Sequence, residues 1–194
     1  MTLTPGLLYF LALLGLVVLE RLFEVALSAR NARRVAARGA VAGESGGFYA
    51  LMVLAHALFL AAGPLEVVLL GRPFLPPLAI VATLVVMMTM TLRYWAIAAL
   101  GDRWNTRVLV VPGEAPVVRG PYRWVRHPNY LAVIVEVAAL PLVHTAWWTA
   151  LGASVGNALL LVARIRHEER ALESAGRYRE HLGGRPRFLP GESA

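Results

Sequence analysis

Apolar stretches alternate with polar, arginine-bearing segments along this chain of 194 residues. A helix of about 20 apolar residues crosses the roughly 30 Å hydrocarbon core of a bilayer, because each residue adds 1.5 Å. The first three stretches reach that length, and the two that follow are shorter. We predict five transmembrane helices, at residues 3–27, 48–70, 78–100, 128–143 and 149–163.

A few charged residues interrupt these apolar stretches. Glu20, Arg21 and Glu24 lie in the second half of the first, Arg93 lies late in the third, and Glu136 lies two turns inside the fourth. Charged side chains are costly against lipid, so they are expected to face one another or a polar site. One polar chamber would account for all of them, and so would a set of unrelated ion pairs. Glu20, Arg21 and Glu24 would also fit the end of a helix that reaches the lipid headgroups.

The arginines are distributed unevenly among the connecting segments. They are concentrated in residues 28–47, in residues 101–127 and in the tail after residue 163, whereas residues 71–77 hold one and residues 144–148 hold none. Cytoplasmic segments carry the excess of basic residues, so with five spans the N-terminus lies outside and the C-terminus in the cytoplasm. The five charged residues named above then all lie in the cytoplasmic half of the bilayer.

The composition agrees with a polytopic membrane protein that forms a single all-α domain over residues 1–194. Hydrophobic residues make up 58% of the chain and the mean hydropathy is +0.59, above the values of a soluble domain. The net charge of +7 comes from arginines beside apolar stretches, where they control topology, so we do not expect nucleic-acid binding. The chain has no cysteine, which excludes disulfides and thiolate sites, and its dispersed histidines give no reason to predict a metal site.

Two polar segments carry more chemistry than a membrane anchor requires. Residues 120–130 read Gly-Pro-Tyr-Arg-Trp-Val-Arg-His-Pro-Asn-Tyr, and their prolines prevent one continuous helix. A basic loop that only anchors a helix needs arginines and has no need of a His-Pro-Asn-Tyr turn. In the tail, an apolar stripe at helical spacing predicts that the fifth span continues as an amphipathic helix over residues 164–182. Glu168 and Glu169 flank that stripe, which favours a functional role over a solvated face.

The common signatures of soluble enzyme sites are absent from the sequence. It holds no glycine-rich dinucleotide motif, no P-loop, no H-E-x-x-H and no G-x-S-x-G. A Rossmann-type dinucleotide site is therefore excluded.

Residues 120–130, followed by a hairpin of two spans and Arg-Ile-Arg-His-Glu-Glu-Arg-Ala-Leu at 164–172, resemble the isoprenylcysteine carboxyl methyltransferase family. The likeness covers about residues 78–190 and extends more distantly to phospholipid methyltransferases and the C-terminal halves of some sterol reductases. The runs Arg93-Tyr94-Trp95 and Leu100 to Gly113 are similar to a bacterial subgroup linked to O-methylation of long-chain alkylpyrones and alkylresorcinols.

The resemblance implies an S-adenosylmethionine-dependent O-methyltransferase in the bacterial inner membrane, with its cofactor bound at the cytoplasmic face. Residues 1–77 would form the two N-terminal spans and residues 78–194 the methyltransferase core, which includes the cofactor segment 101–130. The acceptor would be a lipophilic small molecule or a prenylated substrate that enters from the bilayer, among membrane lipid. Spans rich in alanine and glycine are equally compatible with packing within one chain and between chains.

Carried over residue by residue, the resemblance assigns three groups of site residues. The catalytic group would use Arg93 to orient an acidic oxygen, with Glu136 or His127 as the base that a phenol or enol requires. A carboxylate acceptor would need no base. The cofactor-binding group is Tyr122, Arg126, His127, Pro128, Asn129, Tyr130, Glu168 and Glu169, with Asn129 at a position where the family commonly has a hydrophobic or small residue. The substrate-binding group is Glu20, Glu24, Arg93, Trp104 and Asn105.

Three other functions remain compatible with the sequence. A phospholipid N-methyltransferase would need a site for a phosphate head group and no acidic oxygen nucleophile. A relative of the NADPH-dependent sterol reductases would need additional basic residues for the 2′-phosphate. A non-catalytic membrane scaffold predicts that changing Glu169 alters stability or partner binding without affecting any cofactor.

Overall fold

The computed structural model of the protein describes residues 4–176 and 178–188. Within those residues the chain is mostly helical, and one two-stranded antiparallel sheet pairs Val41 with Val110 and Ala42 with Leu109. The helices are α1 Pro5–Ala36, α2 Gly46–Leu70, α3 Pro76–Leu100, α4 Pro128–Leu142, α5 Trp147–Ala175 and α6 Tyr178–Leu182, and the strands are β1 Val41–Ala42 and β2 Leu109–Val110. Short 3-10 turns occupy Gly101–Arg103 and Gly120–Arg123.

Local chemistry explains where the long helices begin and end. The Thr4 side chain accepts a hydrogen bond from the backbone N–H of Leu7 at the start of α1, and Ser45 does the same for Phe48 at the start of α2. Gly71, at φ 57°, ends α2 in the left-handed conformation that glycine adopts without steric cost. The chain can therefore turn sharply between α2 and α3.

The apolar core lies where α1, α3 and α4 meet, with α2 and α5 packed beside them. Phe10, Val17, Val86 and Leu140 are among its most completely buried side chains. The opposite faces of α2, α3 and α5 carry exposed large apolar side chains, such as Leu69 on α2. Large apolar surface on the outside of helices is typical of a protein surrounded by lipid.

In the described part of the chain, three helical segments are long and apolar enough to cross a bilayer, namely Gly46–Leu70, Pro76–Arg103 and Trp147–Ala175. They coincide with the second, third and fifth predicted spans, and the last helix continues past residue 163 as predicted. The first predicted span lies within α1, whose Glu20, Arg21 and Glu24 reduce its apolar length, and the fourth lies within α4, which has only 15 residues. The five-span arrangement stays a prediction.

Two sequence predictions about the polar segments need correction. The described chain is mostly helical, and the all-α assignment is refined in that β1 and β2 pair. The single helix predicted over residues 164–182 is interrupted, because α5 ends at Ala175 and α6 starts at Tyr178. Between them Gly176 adopts φ 157°, which a side chain would disfavour, and its N–H still bonds to Leu172 O. After the break, Tyr178 and Leu182 of α6 line the same cavity as α5.

A buried asparagine ties α1 to the segment that follows α3. Asn31 is only 1% exposed, and its Nδ2 donates to the carbonyl oxygens of Gly101 at 3.2 Å and Trp104 at 2.8 Å. We expect Asn31→Ala to lower the free energy of unfolding by about 1–3 kcal/mol, because carbonyl groups would lose their buried donor. Unfolding in detergent against Arg30→Ala, whose side chain is exposed on the same helix, measures the difference. An equal loss in both variants would contradict this role for Asn31.

Candidate active site

A cavity of about 510 Å³ lies among α1 to α6 and the irregular segment between α3 and α4. Its volume is within the range of sites that bind cofactors and drug-sized molecules. Six of the residues predicted to bind a cofactor line it, namely Tyr122, Arg126, His127, Asn129, Tyr130 and Glu168, and so do Glu24, Arg93, Trp104 and Asn105 from the predicted substrate group. Pro128, Glu169, Glu20 and Glu136 are not among the lining residues.

The polar end of the cavity is built on the start of α4 and on residues 120–127, which precede it. Pro128 occupies the first turn of α4, where its missing N–H costs nothing, and places His127 and Tyr130 side by side. Their rings stack at a centroid distance of 5.3 Å. The Tyr130 hydroxyl donates to Glu168 Oε2 and accepts from Arg164 Nε, the latter at 3.0 Å. Glu168 is thereby fixed at the edge of the cavity.

The Glu169 side chain contacts the C-terminal segment at Arg187 and does not line the cavity. Arg187 donates from Nε and Nη2 to the two oxygens of Glu169 at 3.1 and 2.7 Å, and His127 Nε2 lies 3.1 Å from Glu169 Oε1. The bond to Glu169 raises the pKa of the Arg187 guanidinium. The backbone N–H groups of Arg126 and His127 donate to the carbonyls of Pro186 and Arg187. Glu169 therefore holds the C-terminal segment against residues 126–127 and orients the His127 ring.

Two buried tyrosines complete this end of the cavity. Tyr122 and Tyr178 both line it and are both buried. Burial and the nearby charge of Glu168 raise the pKa of each phenol well above its usual range. Both hydroxyls consequently stay protonated at neutral pH, so they can donate hydrogen bonds to a bound molecule.

Sequence reasoning missed the ion pair that joins the polar segments. Arg164 Nη1 lies 3.3 and 3.1 Å from the two oxygens of Glu44, and its Nη2 donates to the Thr106 carbonyl at 2.5 Å. Glu44 also accepts from the backbone N–H of Val108 at 3.0 Å. Glu44 lies in the glycine-rich segment between α1 and α2, where a carboxylate is usually solvated. The signal in the sequence that pointed to a buried ion pair was Arg164, which lies beside the apolar residues of α5.

The charged residues within the helices form one connected network. Arg93 Nη2 donates to Glu136 Oε2 at 2.8 Å, and Arg93 Nε lies 3.7 Å from Glu24 Oε1. Arg21 lies 3.0 Å from Glu20, 2.9 Å from Glu24 and 3.8 Å from Glu136. Arg21, Glu24 and Arg93 line the same cavity as the 122–130 segment. The sequence was compatible with one polar chamber and with a set of unrelated ion pairs. The structure shows the first arrangement, a single chamber.

Several polar atoms around the cavity have no hydrogen-bond partner among the residues that the structure describes. They belong to side chains that line the cavity and comprise Arg126 Nε, Asn129 Oδ1, Asn105 Oδ1 and Arg107 Nε. Buried polar groups are almost always paired in native proteins, so unpaired ones facing a cavity indicate a polar ligand there. The set offers both donors and acceptors.

The sequence model of the Isoprenylcysteine carboxyl methyltransferase (ICMT) family matches residues 80–174 of this chain. YpbQ of Bacillus subtilis (strain 168), named as an uncharacterized protein, is 39% identical over 166 residues, which cover 84% of this chain and 96% of that protein. An uncharacterized protein of Haemophilus influenzae (strain ATCC 51907 / DSM 11121 / KW20 / Rd) is 26% identical over 154 residues, covering 78% of this chain and 88% of that protein. The family match includes the 122–130 segment and Glu168, and it leaves out α1 with Glu20, Arg21 and Glu24.

Proposed function

The chain belongs to the isoprenylcysteine carboxyl methyltransferase family, and from that premise we propose that it transfers a methyl group from S-adenosylmethionine to an oxygen atom of an amphiphilic lipid. Family membership and three apolar helices of spanning length make it an integral membrane protein. The observation that carries the proposal is the single cavity that joins the polar 122–130 and Glu168 end to the buried charged network. A polar methyl donor and a lipid acceptor require such a shared chamber.

The residues around the polar end suit S-adenosylmethionine. Arg126 has an unpaired Nε at the cavity and offers a guanidinium to the methionine carboxylate. Glu168 offers a carboxylate to the ribose hydroxyls or the ammonium group, and Tyr122 and Tyr130 offer aromatic surface to the adenine. His127 and Asn129 line the cavity wall between them, and Pro128 fixes the start of α4 behind that wall. Glu169 contributes indirectly, because it holds His127 and the C-terminal segment in place.

When bound, S-adenosylmethionine supplies an electrophilic methyl group on a sulfonium. The protein has to align the acceptor oxygen and exclude water, and such alignment supplies several kcal/mol. Arg93 lines the cavity and is the group that orients the acceptor oxygen, while Trp104 and Asn105 contribute to the same wall. Glu136 is fully buried behind Arg93 and bonds to it, so its role is to fix the guanidinium. Glu20 acts in the same way on Arg21.

A second cavity, of about 620 Å³, supports a lipid acceptor. It lies in the apolar groove between α2 and α5, and it shares Met52, His56 and Asn157 with the first cavity. Most of its lining is apolar, and the exposed faces of the same two helices carry large apolar side chains. We assign the groove to the alkyl chain of the acceptor, which enters from the bilayer. A long-chain alkylpyrone, an alkylresorcinol or an isoprenylcysteine would each have such a chain.

The orientation proposed for the protein follows from the arginine distribution. Five spans, formed by α1 to α5, would place the N-terminus outside and the C-terminus in the cytoplasm. The polar end of the cavity would then open to the cytoplasm, which contains the soluble cofactor. In a bacterium this corresponds to the inner membrane.

Calorimetric titration of the detergent-solubilised protein with S-adenosylmethionine, and separately with NADPH, tests the proposal. We expect a dissociation constant in the micromolar range for S-adenosylmethionine and no binding of NADPH. Labelled methyl groups should then be transferred to an oxygen of an alkylpyrone, an alkylresorcinol or an isoprenylcysteine, with phosphatidylethanolamine as the control acceptor. A folded protein that binds NADPH alone, or that methylates only the amine lipid, would contradict the proposal.

A further inference from the structure

One carboxylate of the charged network faces the cavity while the other two lie behind it. Glu24 is 4% exposed and lines the cavity, whereas neither Glu20 nor Glu136 does. Glu24 Oε2 lies 2.9 Å from Arg21 Nη1. Its Oε1 lies 3.7 Å from Arg93 Nε and has no hydrogen-bond partner within the described residues. A buried carboxylate oxygen without a donor, directed at a cavity, is costly unless a ligand supplies the hydrogen bond.

The network has an excess of negative charge. Its three carboxylates, from Glu20, Glu24 and Glu136, are opposed by the two guanidinium groups of Arg21 and Arg93. A further carboxylate brought by an acceptor would be repelled by these groups, and such repulsion is strong in a buried site. A neutral hydroxyl group would face none and could donate to Glu24. Of the other arginines that line the cavity, Arg103, Arg126 and Arg164 are paired with Glu114, Glu169 and Glu44. Beside Glu24, the charge balance therefore favours an acceptor that arrives uncharged.

We propose that Glu24 accepts the proton of a neutral, acidic hydroxyl group on the acceptor, a phenol or an enol, and that the site disfavours carboxylate acceptors. This deepens the proposed methyl transfer and rests on it. The oxygen–hydrogen bond breaks, and the proton goes to Glu24 Oε1. The oxygen forms a bond to the methyl carbon of the sulfonium donor, and the carbon–sulfur bond breaks with its electron pair remaining on sulfur. Arg93, 3.7 Å from Glu24, stabilises the negative charge on the oxygen.

The other candidate bases are placed less well for this step. Glu136 is fully buried, bonds to Arg93 and does not line the cavity. His127 lines the cavity, but its Nε2 is engaged by Glu169. His56 lines the cavity, and no ion pair joins it to the charged network in the part of the chain that is described. It serves as the rival to Glu24 in the test.

A long-chain alkyl nitrophenol gives a readout that is independent of turnover, because its ionised form has its own absorption band. The probe is added with S-adenosylhomocysteine at a pH below its solution pKa, where the band appears only if the site removes the proton. We expect the band with the wild type and a decrease of at least about tenfold with Glu24→Gln. Glu20→Gln removes the same charge from the network but keeps the Glu24 carboxylate, so the band should decrease much less than with Glu24→Gln. His56→Gln should also retain it.

The same variants separate proton acceptance from a purely structural role. Loss of a general base lowers turnover by about 10²–10⁴-fold, and we expect that loss for a phenol acceptor with Glu24→Gln. A carboxylate amphiphile of the same chain length should bind about tenfold more tightly to Glu24→Gln than to the wild type, because the network becomes neutral. Glu24→Asp, which keeps the charge, should retain weak carboxylate binding. S-adenosylmethionine binding by each variant checks that it is folded.

The outcomes distinguish this inference from the proposed function. If the wild type binds no S-adenosylmethionine, both fail. If the cofactor binds and the absorption band persists in Glu24→Gln, or is lost only in His56→Gln, the inference about Glu24 is overturned and the methyltransferase proposal stands. Wild-type affinity for the carboxylate equal to that for the phenol would overturn the proposed acceptor class in the same way.

Discussion

Replacing Arg164 with methionine is expected to lower the free energy of unfolding by about 3–5 kcal/mol, because the substitution leaves the Glu44 carboxylate buried without its cation. The Glu44 side chain has no exposed surface, and Arg164 contributes both of its ion-pair contacts. The guanidinium also donates to Thr106 O and to the Tyr130 hydroxyl, so the 103–110 segment and the start of α4 would loosen together. We therefore expect Arg164→Met to lower stability, and cofactor binding to weaken as a consequence.

Denaturant or thermal unfolding in detergent measures this effect. Arg166→Met is the matched control, since Arg166 lies two residues away on α5 with an exposed side chain. The double variant Arg164→Met with Glu44→Met should recover much of the lost stability, because replacing a buried ion pair with apolar residues is often neutral. Equal losses for Arg164→Met and Arg166→Met would show that the buried pair contributes nothing particular.

Glu168→Gln is expected to weaken S-adenosylmethionine binding by about 10- to 150-fold, which corresponds to about 1.5–3 kcal/mol for a hydrogen bond to a charged group. Glu168 lines the cavity, and the Tyr130 hydroxyl fixes its position. The amide of glutamine can still accept from Tyr130, so the fold around it should persist. What disappears is the negative charge offered to the cofactor.

Calorimetry on Glu168→Gln and Glu169→Gln, side by side, tests whether the adjacent carboxylates differ as the geometry indicates. Glu169 is bonded to Arg187 and His127 and does not line the cavity, so we expect a smaller loss of affinity and a larger loss of stability with Glu169→Gln. A greater loss of affinity at Glu169 would reverse the assignment and place the cofactor near the C-terminal segment.

Much of the fold could be predicted because it depends on local pattern. The lengths of the apolar stretches located α2 and α3 to within two residues of their observed starts and matched their observed ends at Leu70 and Leu100. Residues 120–130 and 164–172 were sufficient to indicate the family, since their side-chain types and spacing can be recognised without coordinates. Both the helical period and the motif spacing are properties of neighbouring residues, which the sequence states directly.

The different contacts of Glu168 and Glu169 on α5 could not be predicted from the local sequence pattern. Both residues flank the same apolar stripe, and only their neighbours from other elements separate their roles. Tyr130 from α4 binds Glu168, and Arg187 from the C-terminal segment binds Glu169. The sequence predicted the same function for both because it contains no record of which partner each one meets.

The sequence by itself determined that this is a helical membrane protein of a methyltransferase family with carboxylates and arginines inside its apolar stretches. Only the tertiary structure decided that Glu24 faces the cavity while Glu136 lies behind Arg93, and that Arg164 pairs with Glu44, 120 positions away. The reason is physical: the energy of a buried charge depends on the distance to its partners, and packing between distant helices sets that distance.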